Sequence, residues 1–380
     1  MLWLTFAPIT TASAHHFHVS EDTVGWLSEV FPLLYVLLSI PAGMALDRWF
    51  RRTLLTGAAL TAAGGVIRLG GSTFAWALAG QVVVAIAQPL ILNAITKLAS
   101  DYLPEDKRTE GISYGSAGIF AGMLLGLGLG PSIASSGDLH ALLVVNVAYA
   151  FAALLVLGVA LRVPPLEVSG VETLEPGGLR TVWSDPQIRS LAGVSFLGFG
   201  VFVALTTWLQ TLLKPAGVSS DTAGGLLVAM VVVGIIGSAA VPAAVARRGQ
   251  TFRLLQATAL GTAAACVALA AINWLPGFAV AVAVIGFFLV TSLPVLLELT
   301  EMRAGANSGS ASALIWMAGQ GGGIVIAVII QVVVHHPTLS FLLMALAGLA
   351  ALLPINAAAR YAPAGVSAEA LTAGEAILVE

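Results

Sequence analysis

Charge is what this chain has least of. Only 9% of its 380 residues are Asp, Glu, Lys or Arg, while 58% are hydrophobic and the mean hydropathy is +0.97. That leaves too little polar surface to cover a water-soluble globule of this length, so a polytopic membrane protein is the class that fits. A single cysteine, Cys266, excludes an intrachain disulfide framework and reads as a buried thiol in an apolar run. The sequence has no G-x-x-x-x-G-K-[ST] phosphate loop and no His, Asp and Glu grouped at one depth, which argues against a nucleotide-driven pump, an integral-membrane enzyme and a non-transporting receptor built on such a cluster. No basic flank or cleavage site marks a removable leader, so insertion is expected from the spans themselves. Nothing points to nucleic acid, and no cofactor or metal is implied. The histidines, His15, His16, His18, His140, His335 and His336, all fall in outer loops. HHFH there could ligate a metal, yet it lacks cysteine or acidic support.

What the chain has in abundance is apolar runs separated by charge, glycine and proline. Windows of about 20 apolar residues cross the hydrocarbon, and the punctuation predicts twelve spans, at 1–17, 23–47, 53–73, 75–99, 109–133, 140–162, 188–213, 221–246, 254–273, 275–299, 307–334 and 338–359. The first is short for a bilayer, so either it begins inside the membrane or the chain starts further upstream. Of the 16 basic residues only Arg68 and Lys214 fall on one side of this arrangement, which predicts cytoplasmic termini. The stretch from Arg162 to Asp185, rich in Pro, Gly and Glu, reads as a linker. It gives an N-terminal six-helix bundle over 1–162, a cytoplasmic linker over 163–187, a C-terminal six-helix bundle over 188–360 and a disordered tail over 361–380. The halves echo one another. PAGMALDRWFRRTLLTGAAL at Pro41 returns as PAAVARRGQTFRLLQATAL at Pro242, and SAGIFAGM at Ser116 as MAGQGGGI at Met317, with Gly118 and Gly122 meeting Gly319 and Gly323. Two parallel six-helix repeats of this kind build facilitator-type transporters.

The organising stretch is SIPAGMALDRWFRR, Ser39 to Arg52, where an apolar helix leaves the membrane in Gly43, Asp47, Arg48, Arg51 and Arg52. It resembles the G-x-x-x-D-R-x-x-R-R signature of the major facilitator superfamily. A plain topology anchor would need the arginines but neither Gly43 nor Asp47; the resemblance implies a gating latch, in which these charges pair with one another, with neighbouring helix ends or with helix dipoles. The second copy, Val241 to Arg253, keeps arginines and lacks the aspartate, so a weaker latch is expected there. Glu29 stands alone as a carboxylate well inside a span. At that depth an ionisable group is costly unless it faces a wet cavity or a partner, which makes it the candidate for proton coupling; the alternative is that it snorkels to the interface. Glu298 and Glu301 read as loop charges paired with Arg303. Trp3, Gln81, Gln88, Asn93, Asn146, Trp208, Gln210, Trp316 and Gln320 are the polar and aromatic groups expected to face the middle of the bundle. They suggest a nearly uncharged cavity suited to a neutral or cationic amphiphile, with cation–π contacts on offer.

WLTFAPITTASAHHFHVSEDTVGWLSEVFPLLYVLLSIPAGMALD and GQVVVAIAQ further resemble the first, second and fourth helices of the feline leukaemia virus subgroup C receptor-related transporters. That resemblance implies an amine cargo such as choline or ethanolamine, held by aromatics of helices one and seven and by glutamines of helices five and eleven. Trp3 and Gln320 match two of those positions; Phe120 replaces the helix-five glutamine, and span seven offers Phe199, Phe202 and Trp208 in place of a tyrosine. The expected substrate site is therefore Trp3, Gln88, Phe120, Phe202, Trp208 and Gln320. The expected activity is secondary transport of a small organic solute by alternating access, with the lipid bilayer and, if Glu29 titrates, protons as partners, and one chain as the working unit. The alternative is a proton-coupled multidrug or metabolite exporter, suggested by Gly130-Pro131 in span five.

Overall fold

The computed structural model describes residues 1–134, 139–166 and 178–362. Much of the expected linker and nearly all of the expected tail lie outside the described residues, as do the side chains of Glu29, Gly130 and Pro131. Helix accounts for almost all of what is described, as hydrocarbon demands, since a helix satisfies its backbone N–H and C=O groups within one segment. The helices are α1 (Thr10–Phe17), α2 (Glu21–Leu69), α3 (Phe74–Leu92), α4 (Ala94–Tyr102), α5 (Glu105–Ala134), α6 (Leu139–Ala160), α7 (Gly178–Ser184), α8 (Pro186–Leu213), α9 (Ser220–Arg247), α10 (Thr251–Ala271), α11 (Leu275–Ala304), α12 (Ser308–Val333), α13 (Pro337–Ala350) and α14 (Leu352–Arg360).

Ten helical segments among the described residues are long and apolar enough to cross a membrane, against the twelve spans expected. Two differences account for this. The second and third expected spans run together as α2, whose 49 residues would reach about 74 Å at 1.5 Å per residue, more than twice the hydrocarbon thickness. The backbone leaves helical geometry at Trp49 (φ −137°, ψ 50°), so α2 makes two passes with a bend at the charged motif. The first expected span is mostly not α-helix. Met1–Phe6 forms turns and bends, a 3₁₀ turn covers Ala7–Ile9, and α1 has only 8 residues.

The chain divides into two compact units. The first comprises Met1–Tyr102, Gly118–Gly178 and Ala306–Ala313, the second Leu103–Ala117, Leu179–Gly305 and Leu314–Glu380. In the first, α2 packs along α3 and α6. Its interior holds Leu27, Phe31, Tyr35 and Leu46, all under 2% exposed. Close passage of α2 against α3 depends on missing side chains: a Cβ at Gly64 would lie 2.7 Å from the Gly80 carbonyl, and one at Gly80 2.5 Å from the Gly64 carbonyl. In the second unit α11 packs on α9, α10 on α13, and α8 on α11, α13 and α14. Outward apolar residues such as Leu155, Val332 and Leu353 are two-thirds exposed or more, the surface that lipid covers.

The α9–α11 crossing offers a direct test of this packing. A methyl on Gly286 would strike the Met230 carbonyl, and one on Gly234 would lie 2.7 Å from the Gly286 carbonyl. Gly286→Ala is expected to destabilise the protein by about 1–3 kcal/mol despite alanine's better helix propensity. Gly128→Ala in α5, where a Cβ meets nothing within 4 Å, should be neutral or slightly stabilising. Thermal unfolding of the detergent-purified variants, followed by tryptophan fluorescence, checks both.

Candidate functional site

The motif at the α2 bend is built around Asp47. The first N–H groups of any α-helix have no partner within it and carry the positive end of its dipole. In the first unit Asp47 supplies both needs to α12: its Oδ1 accepts from Gly309 N at 2.8 Å, and its Oδ2 accepts from Ser310 N at 2.9 Å and from Ser310 Oγ at 2.5 Å. One carboxylate thus caps the start of a helix more than 260 residues away in the chain. Small residues bring it there. A Cβ on Gly43 would lie 2.7 Å from the Gly309 carbonyl and from Ala313 Cβ, and a Cβ on Gly309 would lie 2.6 Å from Asp47 Oδ1. Two more polar contacts secure the same turn: Ser39 Oγ donates to the Ala313 carbonyl at 2.9 Å, and Thr96 Oγ1 and Ser312 Oγ are 2.7 Å apart.

The arginines of the motif do other things. Arg51 donates to the carbonyl of Leu161, at the end of α6, where a cation also suits the negative end of the dipole. The Arg48 guanidinium lies 4.7 Å from the Trp49 ring centroid, both side chains exposed, and Arg52 is exposed. Among the described residues none of the three pairs with Asp47. The signature therefore divides between a carboxylate for one helix start, an arginine for one helix end, and a cationic, aromatic surface.

The second copy is differently made rather than simply weaker. In the second unit Arg247, at the end of α9, lies 3.7 Å from Glu110 on α5. Thr109 Oγ1 donates to Glu298 Oε1 on α11. Glu298 and Glu301, expected as loop charges, are each 8% exposed. Arg303 pairs instead with Asp185, Nε to Oδ2 at 2.6 Å, because Asp185 caps the start of α8 through Gln187 N and Ile188 N and so is held beside the end of α11. These contacts join residues distant in sequence, and no local pattern announces them.

Of the expected substrate residues, Trp3, Gln88 and Phe120 belong to the first unit and Phe202, Trp208 and Gln320 to the second. Trp3 stacks on Phe31 with centroids 5.9 Å apart, and its indole N–H donates to the Ser28 carbonyl at 3.1 Å. Gln88 is half-buried, Phe120 and Gln320 are buried, and Trp208 gives its N–H to the Ala327 carbonyl at 3.0 Å. Phe202 does have aromatic company. It stacks on Phe199 at 5.8 Å, and Phe199 meets Trp316 edge to face at 6.0 Å, placing three rings of α8 and α12 together. Several other polar groups expected to face a cavity are instead used in packing: Gln81 Nε2 donates to the Leu27 and Trp3 carbonyls, and Asn93 bonds Tyr35 and Ser39, while Gln210 is exposed. Among the described residues no group of His, Cys, Asp and Glu is arranged to hold a metal.

Comparison with known proteins agrees with this architecture. Residues 1–327 match the Major Facilitator Superfamily. The zebrafish (Danio rerio) solute carrier family 49 member A3 is 31% identical over 363 residues, covering 89% of this chain and 77% of that protein. The human choline/ethanolamine transporter FLVCR2 is 28% identical over 128 residues, 33% of this chain and 24% of that one. The Escherichia coli fucose:proton symporter FucP superposes with a TM-score of 0.76 at 18% identity, covering 94% of this chain and 96% of its own. With ten membrane-length helical segments among its described residues, a charged motif at the α2 bend and these relatives, the chain belongs to the major facilitator superfamily, within the solute carrier 49 group of transporters, and is not an enzyme.

Proposed function

We propose that this transporter carries a small organic solute bearing an amine, choline or ethanolamine in the first instance, by alternating access of its two six-helix halves, with both termini on the cytoplasmic side of the cell membrane. The observation that carries the reading is the cluster of Phe199, Phe202 and Trp316 in the second unit. Ring faces attract a quaternary or primary ammonium by about 0.5–2 kcal/mol each, most when water is excluded, and need no carboxylate to do it. The name carried by the FLVCR2 relatives supports the same cargo. Glu29 remains the candidate for proton coupling and Asp47, with Gly43, for the latch. A carboxylate holding a helix start through three hydrogen bonds can be made and broken as a unit, and breaking it exposes both a charge and free N–H groups. That is the energetic signature a gate requires.

Uptake of radiolabelled choline and ethanolamine into proteoliposomes, with and without a pH gradient, tests the cargo. Saturable uptake is expected, and Phe199→Ala should weaken apparent affinity by roughly tenfold; no uptake of either compound rejects the amine reading. Loss of the pH effect in Glu29→Gln would place Glu29 in coupling, and an unchanged pH effect would remove it.

A second measurement addresses the latch. Asp47→Asn keeps the shape and loses the charge, so it should insert normally yet change the initial rate of uptake by several-fold, consistent with about 1–2 kcal/mol from the cap. Gly309→Ala, which pushes the carboxylate away, should do the same. Wild-type rates in both would reduce the motif to a topology anchor.

A further inference from the structure

Arg68, which the loop pattern assigned to the outer side of the membrane, is not a solvated charge. It sits near the end of α2 and is 1% exposed. Arginine keeps its proton in proteins, and an unpaired guanidinium within hydrocarbon depth costs several kcal/mol or more. The structure compensates it only in part. Nη1 donates to the Leu2 carbonyl at 3.3 Å and to Thr5 Oγ1 at 3.5 Å, both long contacts, and the Phe6 ring centroid is 5.9 Å from Cζ. Among the described residues Nε and Nη2 have no acceptor. The ion pairs of the described residues join Lys97 to Asp101, Lys107 and Arg247 to Glu110, and Arg303 to Asp185; none involves Arg68.

The two free donors are not scattered. Nε–H and Nη2–H lie side by side along one edge of the planar guanidinium, pointing the same way, and this is an edge that a carboxylate occupies with both oxygens. One side of Arg68 is thus spent on the Leu2 carbonyl and the Thr5 hydroxyl, and among the described residues the other is an unfilled fork. Both acceptors belong to Met1–Phe6, which lacks regular helical geometry. That segment is packed, with Leu2, Thr5 and Phe6 each 5% exposed or less, Trp3 donating to the Ser28 carbonyl and Gln81 to the Trp3 carbonyl, so a carboxylate reaches Arg68 only when these contacts open.

We propose that the Nε–Nη2 edge of Arg68 is a binding site for a carboxylate, reached when the Met1–Phe6 segment gives way. The carboxylate is either that of a transported solute or that of a small resident acid; both present the same two oxygens. The inference stands on the first unit alone and does not depend on the amine cargo.

The test uses the full chain in detergent, with sodium acetate titrated against sodium chloride at constant ionic strength and thermal stability as the readout. A saturable rise in Tm with acetate and not with chloride is expected. Arg68→Met should abolish it. Arg68→Lys, which keeps the charge but not the fork, should weaken apparent acetate affinity by about tenfold and serves if Arg68→Met fails to fold. Equal stabilisation by chloride, or an undiminished acetate response in Arg68→Lys, overturns the proposal. So does an acetate response that appears only in Glu29→Gln, because it would mean that the fork is filled from within the protein. Radiolabelled acetate in proteoliposomes then separates the two sources: flux makes the carboxylate cargo, and stabilisation without flux makes it resident. Choline uptake measured in the same vesicles reports on the amine reading independently.

Discussion

Hydrocarbon offers a polar group no alternative partner, and this constraint shapes nearly every named contact in the protein. A carboxamide or hydroxyl that would be indifferent on a soluble surface must here find its acceptor in a neighbouring helix. Gln81 reaches two backbone carbonyls, Asn93 ties Tyr35 to Ser39, and Trp3 and Trp208 give their indole N–H groups to carbonyls of α2 and α12. These side chains read equally well as cavity lining or as packing when only the sequence is known. The structure assigns most of them to packing, which narrows the groups left to meet a solute to the aromatic cluster of α8 and α12 and to groups with unmet hydrogen-bonding capacity, Arg68 above all.

The same constraint explains what could be read beforehand and what could not. Span positions, the two-pass nature of the Ser39–Arg52 region and the internal repeat are one-dimensional properties: apolar length, charge placement and echo. The family followed from them together with motif resemblance. Asp47 was legible as a special residue because an aspartate among arginines at a helix exit has no purpose in a topology anchor. Its partner was not, since of the three donors at the start of α12 only the Ser310 hydroxyl is a side chain, and serine is common at helix starts. The N–H groups of Gly309 and Ser310 that it binds are backbone, and every helix has such groups. Glu298 and Arg303 were misjudged for a related reason. Charges five residues apart near a helix end suggest a local pair, whereas Arg303 finds Asp185 and Glu298 turns inward to Thr109. The burial of Arg68 was not legible because counting basic residues by loop assigns a side of the membrane and not an environment, and a long side chain at a helix end can fold into the bundle.

Glycine shows the difference between composition and geometry. The glycines of spans five and eleven look alike as clusters, yet their surroundings differ. In α12 a Cβ at Gly319 would lie 2.8 Å from Ser195 Oγ, and one at Gly322 would collide with the Phe196 carbonyl, whereas a Cβ at Gly118 or Gly128 of α5 would meet nothing within 4 Å. The first set permits α8 and α12 to touch and so brings Phe199 to Trp316. Elsewhere in α5 a Cβ at Gly126 would lie 2.8 Å from the Met1 carbonyl, so that glycine leaves room for the Met1 backbone.

The two copies of the charged motif tie helix ends together with different chemistry. In the first unit the carboxylate sits on α2 and acts on the N–H groups that open α12, a charge–dipole contact whose strength depends on Asp47 being ionised and on Gly43 and Gly309 leaving room for it. In the second unit the aspartate is gone, but the start of α5 has gained Glu110 facing Arg247 of α9 and Thr109 facing Glu298 of α11. The carboxylates are thus contributed by the opening helix itself and by a different neighbour. A side-chain ion pair with Arg247 68% exposed is screened by water and salt and contributes little, while the Asp47 cap, with two backbone donors and a hydroxyl on one carboxylate, is sheltered. The asymmetry between the halves therefore lies less in whether a clamp exists than in how strongly its surroundings let it act, and the Asp47 cap is the stronger of the two.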